Sequence, residues 1–254
     1  MNKLIINADD FGLDQEVNYA IMAAMNLNLC MDTTLLVNFE ASAHAAQLAI
    51  TNNKTRNVGI HLNLTEGHPL TSKILNESRF CNREGLFHYK KKSRIVNLTK
   101  FEKKAVYDEL TSQIDLCRDL GIPISHADSH NHIHEEPGLL LLVVEILKKK
   151  NVPFLRITNN IGKTSFVNKF YRNTYNSILK FNKLAGTDYF GSTDNLNNYN
   201  RKITEDSIIE LMIHPGKIHD QQIYDVYSKE NLSLHLPAII DGNKLISYNQ
   251  LKRK

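Results

Sequence analysis

The stretch Lys3-Leu4-Ile5-Ile6-Asn7-Ala8-Asp9-Asp10 is a short apolar run that ends in two adjacent carboxylates. A run of this length and composition predicts a buried strand over 3–8. Asp14 then stands where it can cap a helix, and Val17, Ala20, Ile21, Ala24 and Met25 keep the i, i+3, i+4 spacing of its apolar face. Residues 33–39 are β-branched and apolar and predict a second strand. The alanine-rich stretch 41–50 predicts a second helix. Over 58–64 the chain alternates, with Val58, Ile60, Leu62 and Leu64 on one side and Gly59, His61 and Asn63 on the other. Strand, helix, strand, helix, strand is the pattern of a parallel sheet with crossover helices.

Beyond that core the chain turns polar and irregular from 65 to 98. A connection of this length inside a compact unit is usually functional, as a substrate-binding lobe or lid. Residues 101–120 return to helical spacing through Val106, Leu110, Ile114 and Cys117. Strands are predicted over 124–130, 154–158 and 208–213, and helices over 138–149 and from about 229. The Asn-rich stretch 160–203 carries no clear pattern, and no internal repeat is visible. At 254 residues the chain suits one α/β barrel, which typically needs about 250. The expectation is an irregular TIM-like (β/α) barrel of six to eight mostly parallel strands. It forms one domain over 1–254, with a loop-rich insertion around 65–100.

The charge balance is +4, from 31 basic and 27 acidic residues, and makes no electrostatic case for nucleic acid. The densest basic run, Lys90, Lys91, Lys92 and Arg94, lies in a polar stretch and reads as a solvated loop. Cys30, Cys81 and Cys117 have no metal-like spacing and read as reduced, mostly buried thiols. The apolar start is too short for a signal peptide, and no run reaches membrane-spanning length. The protein is expected in the cytoplasm, with no membrane partner.

In a parallel barrel the C-terminal ends of the strands share one rim, where active sites are built. Asp9 and Asp10 end the first predicted strand, His61 lies on the third, Asp128 and His130 end a middle one, and His214 ends a late one. Each alone has a plain explanation, as a cap, a turn or a satisfied core histidine. Together they bring carboxylate and imidazole from four strand ends to one rim. The densest signal is His126-Ala127-Asp128-Ser129-His130-Asn131-His132-Ile133-His134. If extended, its even-numbered residues project to one face. Such a cluster costs desolvation unless a metal or hydrogen bonds satisfy it. Not all four histidines can be ligands. His126, Asp128, His132 and His134 are candidates for supporting the ligands or contacting substrate.

Asn7-Ala8-Asp9-Asp10-Phe11-Gly12, Val58-Gly59-Ile60-His61-Leu62, His126-Ala127-Asp128-Ser129-His130 and His214-Pro215-Gly216 together resemble the YdjC/ChbG-type carbohydrate deacetylases. The resemblance implies an irregular (β/α) barrel that removes N-acetyl groups from chitobiose-like oligosaccharides, and a homodimer. It implies Asp10, His61 and His130 as metal ligands, Asp9 as catalytic base and His214 as acid. Two imidazoles and one carboxylate leave coordination sites open, as catalytic sites do. Arg156, on the next predicted strand, could pair with a rim carboxylate such as Asp9 and tune it, or form a surface salt bridge. The resemblance implies Mg²⁺, whereas two imidazoles suit Zn²⁺ or another transition metal. Two other readings stay open: a metal-dependent amidohydrolase or phosphoesterase of another small substrate, and a non-catalytic sugar-binding protein.

Overall fold

The computed structural model describes residues 1–90, 95–161, 165–197 and 203–252. Lys91, Lys92 and Arg94 of the basic run lie outside them. Strand β1 (Lys3–Phe11) occupies the middle of the sheet, and Leu4 to Phe11 are all buried. It pairs in parallel with β2 (Asp32–Leu35) on one side and β6 (Ile208–Ile213) on the other. β3 (Val58–Leu62) and β4 (Ala127–Ser129) extend the sheet beyond β2, and β5 (Tyr189–Ser192) lies outside β6. The order is therefore β4-β3-β2-β1-β6-β5, all parallel. Strands covered on both faces read as apolar runs, which is why β1 and β6 were legible.

The sheet curls, and its two edges approach each other through Leu155. This residue bridges Ala127 of β4 on one side and Ala185, four residues before β5, on the other. The expected strand over 154–158 is reduced to that bridge. The Thr158 N–H donates to the Asn176 side chain at 2.9 Å instead of to a neighbouring strand, so the ladder stops. The architecture is an irregular TIM-like barrel flanked by helices.

The helices follow local signals. In α1 (Gln15–Asn26) the Asp14 carboxylate accepts from the Val17 N–H at 2.8 Å. α2 (Ser42–Thr51) returns to β3, and α3 (Lys100–Asp119) opens with a Thr99–Glu102 capping box. α4 (Pro137–Lys149) begins with a proline at its first turn. The stretch 160–203, which lacked a pattern, holds α5 (Phe166–Phe181), β5 and the short α6 (Thr193–Asn197). After β6 the chain forms an antiparallel hairpin, β7 (Pro215–His219) and β8 (Gln222–Asp225), packed on α1. Its two-residue turn, Asp220-Gln221, has positive φ at both positions, the geometry that suits strand twist. α7 (Leu232–Asp241) begins three residues later than expected, and β9 (Lys244–Leu245) adds to the start of β1.

Gly59 sits where β3 presses on β4. A Cβ there would lie 2.6 Å from the His126 carbonyl oxygen and 2.7 Å from its Nδ1. Gly59→Ala is therefore expected to destabilise the protein by about 1–3 kcal/mol, the usual cost of overpacking. Denaturant unfolding measures this, and an unchanged midpoint would show that the two strands can part freely.

Candidate active site

The two aspartates point to different partners because β1 is bulged where they lie. Ala8 pairs with Thr33 and Phe11 with Leu35, so β1 carries one residue more than β2 over that interval. Asp10 takes a left-handed conformation, with φ of 71°. A bulge of this kind re-aims a side chain beside a site. Asp9 turns inward to Arg156, and Asp10 turns to His61 and His130.

Asp10 Oδ1 lies 3.2 Å from His61 Nε2 and 2.7 Å from His130 Nδ1. All three residues are buried, and one donor atom from each falls within 4.8 Å of the others. Behind His61, Nδ1 donates to Asp128 Oδ1 at 2.6 Å, and Thr34 donates to Asp128 Oδ2 at 3.1 Å. Burial opposes charge on His61, but Asp128 and Asp10 outweigh it and raise the imidazole to about 10. His130 is likewise opposed by burial, then raised to about 9 by its bond to Asp10 and the nearby Glu66 carboxylate. The negative field that holds protons on these imidazoles can hold a metal cation in their place. The buried Asp/His cluster can therefore bind a divalent metal ion.

Arg156 is fully buried and joins three carboxylates. Its Nη1 and Nη2 donate to the two oxygens of Asp9 at 2.6 and 2.7 Å. Nη1 also lies 2.8 Å from Asp128 Oδ2, and Nε donates to Glu210 Oε1 at 2.8 Å. The surface salt bridge considered for this arginine is thereby excluded. Burial alone would push the Asp9 carboxyl up, but the guanidinium outweighs it and holds Asp9 well below the usual carboxylate range. Burial also pushes Glu210 up, against Arg156 and the Tyr248 hydroxyl, which donates to Glu210 at 2.6 Å.

His214 follows β6 and faces the same cleft, of about 260 Å³, as Asp9, Asp10, His61, His130 and Tyr227. The hairpin brings Asp225 back beneath it. Asp225 Oδ2 accepts from the His214 N–H at 2.6 Å and lies 3.6 Å from His214 Nδ1. Asp225 Oδ1 accepts from the N–H groups of Tyr227 and Ser228, both at 2.9 Å. The Tyr227 ring meets His214 edge-on at 4.6 Å. Burial would lower the His214 imidazole, but its bond to Asp225 and the charges of Asp9 and Asp10 raise it.

The histidine-rich stretch divides. Only 127–129 is extended; Asn131 and His132 turn left-handed, with φ of 51° and 52°, which ends the expected alternation. His130 and His132 line the cleft. His134 is buried away from it, against Ser129 and Tyr175, so it cannot meet substrate there. His126 is buried too, stacked on Tyr248 at 3.9 Å, with Nε2 3.1 Å from Asn7 Oδ1. Asn7 in turn donates to Asp9 at 2.8 Å. His126 thus supports Asp9 from behind and has no route to substrate. Burial lowers its imidazole to about 3, so it stays neutral.

The sequence reading missed Glu66, Asp225 and Tyr227. Asp225 ends, and Tyr227 follows, a hairpin whose turn lacks the glycine that would have announced it. Glu66 lay in the stretch read only as polar and irregular.

Residues 3–243 match the family described as YdjC-like protein. A carbohydrate deacetylase of Vibrio parahaemolyticus is 32% identical over 270 residues, covering 98% of each chain. One from Halalkalibacterium halodurans is 29% identical over 222 residues, covering 86% of each. Among solved structures, an Enterococcus faecalis V583 protein, provisionally named for cellobiose-phosphate cleavage, superposes with a TM-score of 0.71. It is 22% identical and covered over 97% of both chains, a likeness of fold. With its four motifs folded into one cleft and the match running almost end to end, the chain belongs to the YdjC-like family.

Proposed function

We propose that the protein is a carbohydrate deacetylase, hydrolysing the N-acetyl group of amino-sugar oligosaccharides such as diacetylchitobiose, with a divalent cation held by Asp10, His61 and His130. One observation carries this reading: three donors for an ion and two other ionisable groups, Asp9 and His214, line one cleft. The relatives named carbohydrate deacetylase, one of them covered over nearly its whole length, support the substrate class. The donor set fits a catalytic ion, since two imidazoles and one carboxylate leave positions open and Asp128 orients one imidazole from behind. Mg²⁺ is the ion implied by family resemblance, and Zn²⁺ is the alternative favoured by the imidazoles. We place the protein in the cytoplasm, as a homodimer.

When bound, the cation supplies a Lewis acid that polarises the acetyl carbonyl and acidifies water. Asp9 accepts the proton of the attacking water. A carboxylate has about four acceptor positions. Arg156 takes one on each oxygen and Asn7 a second on Oδ1, so Oδ2 keeps one for the water. The guanidinium keeps Asp9 ionised at any physiological pH. His214 donates a proton to the departing amine, and Asp225 holds its backbone and faces Nδ1.

The experiment is acetate release from N,N′-diacetylchitobiose by metal-stripped protein, alone and after reloading with Mg²⁺ or Zn²⁺. No release under any loading would overturn the reading. His214→Ala separates the acid's role. Amide cleavage should slow strongly, because an amine leaves poorly unless protonated. Hydrolysis of p-nitrophenyl acetate, if the enzyme accepts it, should suffer much less. Equal impairment of both substrates would count against His214 as the acid. A loss confined to sugar affinity would mark it as a binding residue.

A further inference from the structure

We infer that Glu66 is a positioning residue for His130, holding its Nε2–H so that the Nδ1 lone pair is presented beside Asp10. This rests on the reading that Asp10, His61 and His130 hold a divalent cation.

A neutral imidazole has one N–H and one lone pair, and the partner of the N–H decides which nitrogen can bind an ion. The two histidines use opposite nitrogens. His61 turns Nε2 toward Asp10 and gives Nδ1–H to buried Asp128. His130 turns Nδ1 toward Asp10, which leaves Nε2 pointing out of the cluster. Glu66 Oε1 is the carboxylate oxygen there, 3.4 Å from Nε2. Each imidazole is thus flanked by Asp10 on one nitrogen and by a second carboxylate on the other. Metal-bound histidines are commonly held by such an outer carboxylate.

The main chain around Glu66 is fixed for this contact. Its N–H donates to Asn63 Oδ1 at 3.3 Å, and its carbonyl accepts from Asn38 Nδ2 and Asn63 Nδ2 at 2.9 and 2.8 Å. From the other side, Asn131, next to His130, donates to Glu66 Oε1 at 3.4 Å and to Thr65 Oγ1 at 3.1 Å. The Glu66 side chain is 56% exposed, whereas that of Asp128 is fully buried. As a simple surface ion pair, the contact would contribute almost nothing. As the partner of a metal ligand, it has an effect on ion uptake that stability does not report.

The test is Zn²⁺ affinity of the metal-stripped full chain, by competition with a chelating dye, for wild type, Glu66→Ala, Glu66→Gln and His130→Ala. Glu66→Ala should weaken Zn²⁺ binding about 10–100-fold, the usual range for an outer partner. The melting temperature of the metal-stripped protein should not move. Glu66→Gln, which keeps an acceptor oxygen, should recover most of the affinity. Imidazole ¹⁵N spectra should show His130 with its proton on Nε2 in Zn²⁺-loaded wild type. If His130→Ala loses Zn²⁺ while Glu66→Ala binds within twofold of wild type, the inference fails and the metal reading stands. If wild type takes up no Zn²⁺, or His130→Ala binds as well as wild type, the metal reading fails and the inference falls with it.

Discussion

Asp9→Asn is expected to keep its cation and lose roughly 10²–10⁴-fold in rate, the loss typical of removing a general base. The Asp9 side chain is held by Arg156 and Asn7, whereas Asp10 leaves the bulge toward His61 and His130, the ligands proposed with it. Asn keeps the shape and one acceptor oxygen but cannot take a proton from water at neutral pH. It also turns an amide N–H toward one nitrogen of Arg156, so one of the two bonds at 2.6 and 2.7 Å becomes a clash of donors. Some loss of thermal stability should accompany the loss of turnover. Acetate release and Zn²⁺ titration on the same preparation measure both properties. Equal loss of ion affinity in Asp9→Asn and Asp10→Asn would mean that both aspartates are ligands and the base lies elsewhere.

Arg156→Met should produce the largest loss of stability. A methionine fills much of the space but leaves Asp9, Asp128 and Glu210 buried without their shared cation. Breaking a buried ion pair from one side costs about 3–5 kcal/mol. In a protein of this size that corresponds to a fall in melting temperature on the order of 10 °C. The deficit should depend on pH. In the wild type, Asp9 is held below its unfolded value of about 3.9, so its contribution is present above that pH and is lost as the pH falls. In the variant, burial acts on Asp9 and Glu210 without the guanidinium and favours their protonated forms. The gap between variant and wild type should therefore widen from about pH 4 to pH 7. A gap that is constant across that range would mean that packing, not charge, is what Arg156 contributes.

Local signals in the chain were readable because they depend on neighbours in sequence. The buried β1, the Asp14 cap and the apolar β6 all appear where periodicity and composition place them. Failures came where a distant group decides. The expected strand over 33–39 stops at Leu35, beside the bulge in β1. The strand over 154–158 yields to the Asn176 side chain from α5. The alternation over 126–134 ends at two left-handed residues, Asn131 and His132, of types that tolerate this conformation but do not require it.

For the site, residue types at strand ends were legible, and the cluster of Asp10, His61 and His130 forms at that rim. What periodicity could not supply was the division between the adjacent aspartates, which needs the bulge. Nor could it supply the company of Arg156, whose carboxylates come from positions 9, 128 and 210.

The hairpin of β7 and β8 has a consequence for how this family can change. Asp10, His61 and His130 are carried at or beside strand ends of the central sheet, where a shift would disturb the packing of the whole barrel. Tyr227, by contrast, lies in the turn just beyond a two-stranded flap that sits outside that sheet and rests on α1, and Asp225, at the end of the flap, ties its backbone to that of His214. Changes at the turn of 220–221 can alter the outer part of that flap without moving any strand of the barrel. Loops on a rigid scaffold are where relatives diverge most freely. The wall that Tyr227 gives the cleft can thus vary with the flap, while Asp10, His61 and His130 stay fixed in the barrel.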